Sequence, residues 1–282
     1  TDKPVISFAR MPHQIPEGGL DFQDATNMPF LQGTRAGVRA MNALWFFGER
    51  AGRDMPPMPE PSGNKRNCSG EALEAALAAK DLPAPKTARA ANSKEIGKAA
   101  ATVGFPAAIK IISPQANHKT EVGGVCLNIS DEVAAVAAAE NMTKKLNAID
   151  TQANIDGFLA QEMVLGVELL VGARDDDQYG PILIVGAGGV MVELVKDVSV
   201  RLLPVSKNDI RDMLGELKIS TLLDGFRGGG PTDKDALIAG IKGLADFFLD
   251  HRTWLADIEI NPLMVRPKGK GICAVDIRAV TR

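Results

Sequence analysis

Residues 105–129 read FPAAIKIISPQANHKTEVGGVCLNI, and this stretch decides the class of fold. An apolar run, FPAAIKII, is followed by a polar loop that ends in two glycines, and then by a second apolar run, VCLNI. Both runs have the length and composition of strands. Residues 131–149 follow with apolar residues at helical spacing, and Ser130 is placed to cap that helix. The stretch therefore predicts two strands joined by a loop and followed by a helix.

The alternation of helices and strands extends on both sides of this stretch and predicts an α/β segment from residue 71 onwards. Further helices are predicted at residues 71–80, 93–104 and 233–251. Further strands are predicted at residues 158–164, 167–173, 181–187, 255–260 and 271–277. The spacing of these segments fits an α+β sandwich better than a doubly wound Rossmann sheet.

The first 70 residues differ in character from the rest. Residues 1–50 contain one strand candidate and one helix candidate, which is typical of a remnant of a larger domain. Residues 51–70 are rich in Pro, Gly and polar side chains and contain almost nothing to bury. We therefore predict a linker at 51–70 and a separate domain at 71–282.

Composition excludes several classes of function. Among the 282 residues, 32 Lys and Arg balance 35 Asp and Glu, so a general attraction to nucleic acid or to anionic membranes is not expected. The longest uncharged apolar stretch, residues 180–192, is shorter than the roughly 18 residues of a membrane helix. Three cysteines without CxxC spacing argue against a disulfide framework or a zinc site. We expect a cytoplasmic protein.

The C-terminal tail, residues 255–278, predicts a hairpin whose turn is PKGKG. If the turn is centred between Lys268 and Gly269, Asn261 lies opposite Asp276. Glu259, two residues before Asn261, shares the same face of its strand. Carboxylate and amide oxygens are the ligands that Mg²⁺ prefers. The alternative is a solvated polar face, and a bulge at Pro262 would change the register.

Three further features have alternative interpretations. Glycines at 123–124, 186–189 and 228–230 would let backbone N–H groups approach a phosphate, but none completes a known motif, and each is also typical of a turn. Lys110, inside the apolar run AAIKII, needs an anionic partner if it is buried and is simply solvated at a sheet edge. His118, in the polar loop, is a phosphoryl acceptor, a general base or an exposed side chain.

In their order along the chain, these features resemble one known family. The chain from about Leu82 to its end is similar to the ATP-grasp domain of the ADP-forming (NDP-forming) acyl-CoA synthetases, relatives of the succinyl-CoA synthetase β subunit. Four collinear stretches carry the resemblance: residues 103–129, 161–204, 222–237, and 257–265 with 274–278. The resemblance implies two α+β lobes that clamp a nucleotide between them.

The resemblance also implies roles for individual residues. Lys110 matches the lysine that holds nucleotide phosphates, and Glu168 matches a residue facing the ribose. Asn261 and Asp276 match the Mg²⁺ ligands, with Glu259 beside them. His118 matches a mobile phosphohistidine. The adenine-binding hinge matches Glu162, Met163 and Val164, and the phosphate path matches Gly123, Gly124, Gly188 and Gly189. Glu193, Asp197 and Arg201 fall in a motif typical of the family, without an assigned role.

The implied function is the ATP-binding and phosphoryl-transfer part of an acid–CoA ligase, which converts a carboxylic acid, ATP and CoA to acyl-CoA, ADP and phosphate. Residues 1–50 resemble the end of a preceding CoA-ligase domain. CoA is expected to bind mainly to domains absent from this chain, located on a longer chain or on a partner subunit, in a homo-oligomeric enzyme. Another ATP-grasp carboxylate ligase and a non-catalytic nucleotide-binding module are the alternatives. The HKTEVGGV loop and the retained site residues favour the first interpretation.

Overall fold

The computed structural model describes residues 5–10, 18–51, 56–114, 123–149, 153–189, 197–226 and 228–282. The chain divides into two compact units, Thr1–Met55 and Pro56–Arg282. The first unit has a parallel pair of strands, β1 (Ser7–Ala9) and β2 (Phe30–Gln32), with helices α1 (Gly19–Thr26) and α2 (Thr34–Arg50). Several apolar side chains of α2 are exposed, Trp45 and Phe47 most of all.

The first sheet of the second unit has four antiparallel strands in the order β3, β6, β4, β5. The strands are β3 (Thr87–Ala90), β4 (Ala107–Ile112), β5 (Val125–Ile129) and β6 (Gly157–Glu162). Helices α4 (Ile96–Val103) and α5 (Glu132–Ile149) bury their apolar faces against one side of this sheet. Alternate residues of β4, Ala107, Ile109 and Ile111, point into that core.

The second sheet has six strands, in the order β11, β10, β7, β8, β9, with β12 also paired to β10. The strands are β7 (Val167–Asp176), β8 (Gly180–Ala187), β9 (Val198–Leu202), β10 (Leu255–Val265), β11 (Ile272–Ala274) and β12 (Ile277–Thr281). Among the described residues, the helices of this half are α3 (Gly70–Ala78), α6 (Lys207–Glu216), α7 (Ser220–Leu223) and α8 (Lys234–His251). They enclose the larger core, in which Phe247 and Phe248 of α8 are fully buried. The α+β prediction is confirmed.

Strand β10 contains a bulge on its β7 side. Ile260 pairs with Val171 and Leu263 pairs with Leu169, so two residues of β10 oppose one residue of β7. Because of the extra residue, Ile258 and Ile260 point into the core before the bulge, and Leu263 and Val265 point into it afterwards. The bulge predicted as an alternative at Pro262 therefore exists, but on the side away from the hairpin.

Residues 56–68 pack against the rest of the second unit, although residues 51–70 are predicted to be a linker. Gly63 lies against the ring of His251, its N–H donates to the carbonyl of Asp250 at 2.7 Å, and its carbonyl accepts a hydrogen bond from Trp254 Nε1 at 3.2 Å. Cys68, in a 3₁₀ turn at Lys65–Cys68, is 1% exposed and belongs to the larger core. The division between the units lies at Met55 and Pro56, inside the predicted linker.

The cap of α5 differs from the prediction by one residue. Asp131, and not Ser130, accepts a hydrogen bond from the N–H of Ala134 at 2.8 Å, while the Ser130 hydroxyl donates to Asp131 at 3.0 Å. These two hydrogen bonds, the one from Ala134 above all, hold the pKa of Asp131 below its ordinary value. None of the helices in the described ranges is long and apolar enough to cross a membrane.

Candidate functional site

Lys110 lies near the middle of β4, on the face of the four-stranded sheet that points away from α4 and α5. Its neighbours Ile109 and Ile111 are buried beneath those helices, so the two-residue period of the strand turns Lys110 to the other face. Lys110 is only 9% exposed, and its partners on the adjacent strands, Leu159 and Val125, are apolar. An ammonium group this close to full burial is stable only with anionic or hydrogen-bonding partners.

The glycine pair Gly123–Gly124 precedes β5 and lies against β4. The N–H of Ile111 donates to the carbonyl of Gly124 at 2.9 Å, which places the pair beside the strand that carries Lys110. Gly123 has a φ of +67°, and a Cβ added there would lie 3.1 Å from Cδ of Lys145. Glycine adopts this conformation with less strain than residues that carry a Cβ. His118, five residues before Gly123 in the sequence, lies outside the described residues.

The predicted hinge is the covalent connection between the two sheets. Glu162 is the last residue of β6, and Met163 and Val164 follow it, half-buried, before β7 begins. The N–H of Glu162 donates to the carbonyl of Lys86 at 2.9 Å, and its Oε2 accepts from the N–H of Lys86 at 3.3 Å. The start of the hinge is therefore fixed to the chain just before β3.

Gly188 and Gly189 begin the loop after β8 and contact both β7 and β10. The N–H of Gly188 donates to the carbonyl of Glu168 at 2.9 Å, and the N–H of Gly189 donates to Oδ1 of Asn261 at 3.0 Å. A Cβ at Gly188 would lie 2.5 Å from the backbone of Leu169. At Gly189, where φ is +60°, a Cβ would lie 1.8 Å from the Glu168 carboxylate. The structure thus brings Glu168, the glycines and Asn261 together.

The hairpin has the register predicted from the sequence. Leu263 pairs with Ala274 in the β10–β11 ladder, and Glu259 pairs with Arg278 in the β10–β12 ladder. Between these two ladders, the N–H of Asn261 donates to the carbonyl of Asp276 at 3.0 Å. Asn261 and Asp276 are therefore opposite each other, on the face of the six-stranded sheet that points away from the helices.

The oxygen atoms of this face match the chemistry of Mg²⁺. Asp276 is exposed, and Asn261 and Glu259 are half-buried. In the described part of the chain, no group of three or more His, Cys, Asp or Glu side chains could hold a metal ion. The predicted set is of a different kind, because it combines two carboxylates with an amide. Mg²⁺ commonly uses only one or two protein ligands and completes its shell with water and phosphates, so this set fits it.

Asp197 and Arg201 hold the six-stranded sheet to its helices. The carboxylate of Asp197 accepts the N–H groups of Lys218 at 3.0 Å and Ile219 at 2.9 Å. Arg201 forms an ion pair with Glu216 of α6, and the hydroxyl of Ser199 donates to the same carboxylate at 2.7 Å. Both residues therefore have structural contacts here. Glu193 lies outside the described residues.

Sequence reasoning missed Gln161 and Cys273. Gln161 is 5% exposed in β6 and donates from Nε2 to the carbonyl of Val275 at 3.2 Å. The signal is a polar residue inside the apolar run FLAQEMV, in which the residues after Gln161 are assigned to the hinge and Gln161 itself is assigned no role. Cys273 pairs with Met264, and burial, with a smaller contribution from the Glu162 carboxylate, raises the pKa of its thiol to about 11. The thiol therefore remains protonated at neutral pH.

Comparison with known proteins gives consistent matches across the second unit. The profile of an ATP-grasp domain family matches residues 62–280. The chain is 36% identical, over 203 residues, to the 4-hydroxybutyrate–CoA ligase (ADP-forming) of Nitrosopumilus maritimus; the match covers 72% of this chain and 29% of that protein. It is 32% identical to the acetate–CoA ligase (ADP-forming) II subunit beta of Pyrococcus furiosus, over 73% of this chain and 88% of that subunit. The chain thus spans less than a third of the single-chain relative and most of the separate subunit.

A solved structure has the same fold with ligands bound. It is the dinucleotide-forming acetyl-coenzyme A synthetase 1 of Ca. Korarchaeum cryptofilum, in complex with coenzyme A and Mg-AMPPCP. The match has a TM-score of 0.61 and 32% identity, and it covers 73% of this chain and 88% of that one. In that protein the phosphohistidine segment points towards the nucleotide binding site.

Proposed function

This chain belongs to the ATP-grasp domain family, and we propose from that premise that it is the nucleotide-binding part of an ADP-forming acid–CoA ligase. The complete enzyme converts a carboxylic acid, ATP and CoA to acyl-CoA, ADP and phosphate. Relatives with ADP-forming CoA ligase names support the reaction class. The relative named as a beta subunit supports a division of labour in which other domains or a partner subunit bind CoA and the acid.

The observation that carries this proposal is the cluster formed by Gly189, Asn261 and Asp276. One hydrogen bond fixes the glycine loop to Asn261, and another fixes Asn261 opposite Asp276. The N–H groups of Gly188 and Gly189 already donate to the Glu168 carbonyl and to Asn261, so these glycines contribute by leaving room for phosphate where a Cβ would stand, while the neighbouring carboxylate and amide oxygens attract the cation that accompanies it. A nucleotide polyphosphate with Mg²⁺ supplies both the phosphate groups and the cation in one ligand.

Within this proposal, each predicted residue has a stated role. Asp276 and Asn261 hold Mg²⁺ with Glu259 beside them, and the bound ion neutralises phosphate charge. Lys110 contacts phosphate from the four-stranded sheet. The hinge binds adenine through Glu162, Met163 and Val164, Glu168 faces the ribose, and Gly123, Gly124, Gly188 and Gly189 line the phosphate path. In phosphoryl transfer, positioning and charge neutralisation of this kind are the main contributions of a protein.

Asp276→Asn tests the metal-and-nucleotide site directly. The substitution keeps the size of the side chain and removes its charge, so we expect ATP affinity in the presence of Mg²⁺ to fall about tenfold or more. Affinity for ATP in EDTA should change little. Isothermal titration calorimetry under both conditions measures the two effects.

The exposed Asp177 in the β7–β8 turn provides the control. Asp177→Asn should leave both affinities unchanged. Wild-type affinity for Mg-ATP retained in Asp276→Asn would count against the assignment of the site.

We further propose that His118 carries the phosphoryl group between the nucleotide site and the other domains. With ATP, the bond between the γ-phosphorus and the bridging oxygen breaks, a nitrogen–phosphorus bond forms at the imidazole, and ADP leaves. The imidazole proton passes to solvent. A neutral imidazole is available for this attack near pH 7, since its ordinary pKa is about 6.5. The phosphohistidine segment of the related acetyl-coenzyme A synthetase supports the proposal.

Labelling separates a carrier histidine from an exposed one. Incubation with γ-labelled ATP and Mg²⁺ should give an acid-labile, base-stable label that peptide mapping places at His118. His118→Ala should abolish the label and leave ATP affinity within about twofold, because the imidazole does not anchor the nucleotide. His13→Ala is the matched control and should label normally. A label that persists in His118→Ala refutes the carrier role.

A further inference from the structure

Gln161 connects the two sheets of the second unit. It lies on β6, opposite Ala108 of β4, while Leu159 lies opposite Lys110. Because side chains alternate along a strand, Gln161 and Lys110 share one face of the four-stranded sheet. Gln161 is 5% exposed, so its amide group is almost completely removed from water.

The side chain of Gln161 reaches the six-stranded sheet. Its Nε2 donates to the carbonyl of Val275 at 3.2 Å, across 114 positions of sequence. Val275 lies between β11 and β12, next to Asp276. A buried amide that lost this partner would incur the cost of desolvation without compensation. The hydrogen bond therefore favours one spacing between the two sheets.

Beyond Val275, further hydrogen bonds continue to the glycine loop. The N–H of Val275 donates to the carbonyl of Pro262 at 3.2 Å, and the N–H of Asn261 donates to the carbonyl of Asp276 at 3.0 Å. Oδ1 of Asn261 then accepts the N–H of Gly189 at 3.0 Å. A continuous series of contacts thus links the strand beside Lys110 to the residues assigned to Mg²⁺ and phosphate.

We propose that Gln161 is a positioning residue, which holds the Asn261–Asp276 hairpin at the correct spacing from the strand that carries Lys110. The inference rests on the proposed function, because it concerns a ligand contacted from both sheets at once. Lys110 contributes charge from one sheet, and the hairpin contributes oxygen ligands from the other. A misplacement of about 1 Å between such groups can greatly reduce their combined effect. Gln161 itself need not contact the nucleotide.

The test measures how strongly Mg²⁺ enhances ATP binding. Gln161→Met keeps the length of the side chain and removes the donor, so the packing is nearly preserved. Calorimetry with ATP, once with Mg²⁺ and once with EDTA, gives the enhancement as a ratio of two Kd values. We expect the ratio to fall about 3- to 10-fold, the effect of losing one buried hydrogen bond, with the Kd in EDTA unchanged within about twofold.

Two additional variants make the result specific. Gln178→Met alters an exposed glutamine in the β7–β8 turn and should leave the ratio unchanged. Gln161→Leu has a similar volume and no donor at any pH, so it should reduce the ratio as Gln161→Met does. This second substitution of Gln161 also provides the test if Gln161→Met fails to fold.

The outcomes distinguish this inference from the proposed function. If the wild-type protein binds ATP with no enhancement by Mg²⁺, the proposed function is wrong and the inference fails with it. If the wild type shows the enhancement and both Gln161 variants retain it, the inference alone is wrong. If the variants lose affinity equally with Mg²⁺ and with EDTA, Gln161 only supports folding, which also overturns the positioning role.

Discussion

Lys110 combines near-complete burial with a position on the sheet face that points away from the helices. If it contacts phosphate, Lys110→Met should weaken ATP binding about 10- to 100-fold, the effect of losing a charged hydrogen bond. The free energy of unfolding should change much less, because methionine retains the apolar stem. Calorimetry and urea denaturation measure the two quantities.

Lys98 on α4 is exposed, so Lys98→Met provides the control and should alter neither quantity. Comparable losses of ATP affinity and of stability in Lys110→Met would instead indicate a structural ion pair at Lys110.

At the scale of single residues, the sequence predicts those contacts that follow from the spacing of residues close together in the chain. The spacing around the PKGKG turn predicts that Asn261 faces Asp276, because hairpin pairing follows from the position of the turn. It does not predict that Asn261 accepts the N–H of Gly189, or that Gln161 reaches Val275. Those contacts join segments 72 and 114 positions apart, and they depend on how the two sheets pack.

Asp233 joins two elements, the N-terminus of α8 and the turn of the hairpin. Its carboxylate accepts the N–H of Gly271 at 2.8 Å and the N–H of Ala236 at 3.3 Å. These hydrogen bonds, the one from Gly271 first, hold the pKa of Asp233 below its ordinary value. Its stabilising effect is therefore complete above the unfolded pKa of about 3.9 and is lost as the pH falls through the lower folded pKa.

Asp233→Asn should consequently lower the free energy of unfolding by about 0.5–1 kcal/mol at pH 7, because it keeps a capping side chain but removes the charge that strengthens these hydrogen bonds and faces the helix N-terminus. The difference from wild type should be smaller at about pH 3, below the unfolded pKa, where protonation favours the unfolded chain. Urea denaturation at both pH values measures it. Asp235→Asn, in the same helical turn but exposed, should cost only a few tenths of a kcal/mol. A difference that does not vary with pH would contradict this account.

At the scale of elements, strand β9 shows where pattern reading fails. Its apolar residues Val198, Val200 and Leu202 are exposed, whereas Ser199 and Arg201 turn inwards to Glu216 of α6. The alternation is thus opposite to that of an ordinary half-buried strand. No strand is predicted there, and the alternation of residues 198–202 would assign the wrong face of β9 to the core.

At the scale of the whole molecule, residues 56–68 act as part of the second unit. A fragment that begins at Pro56 should therefore melt at the same temperature as the second unit in the full chain. A fragment that begins at Glu71 loses the buried Cys68 and the Gly63 contacts with Asp250 and Trp254. The loss is about 2–4 kcal/mol, which lowers Tm by about 5–10 °C.

Scanning calorimetry of the two fragments checks this expectation. Both should bind Mg-ATP, because the assigned residues lie beyond residue 100. Equal melting temperatures would mean that residues 56–70 contribute nothing to the second unit, as expected for the predicted linker.

The sequence predicts the α+β class and most strands after residue 100, because hydrophobic periodicity specifies them. It does not predict that the proline-rich stretch packs against α8, since that contact uses backbone groups of Gly63 and the ring of His251 rather than a run of apolar side chains. Polar composition alone therefore overestimated the length of the linker.

Because of the bulge in β10, the pairing of this strand with its neighbours depends more on the number of its residues than on their identity. Asn261 and Pro262 together oppose the single residue Leu170, and Leu263 and Val265 point into the core only because of that extra residue. Deleting one residue between Ile260 and Leu263 would restore regular pairing with β7 and leave both side chains in the core, but it would break the one-to-one pairing with β11 and β12 that sets Asn261 opposite Asp276. Over evolutionary time, this segment should accumulate substitutions far more readily than insertions or deletions.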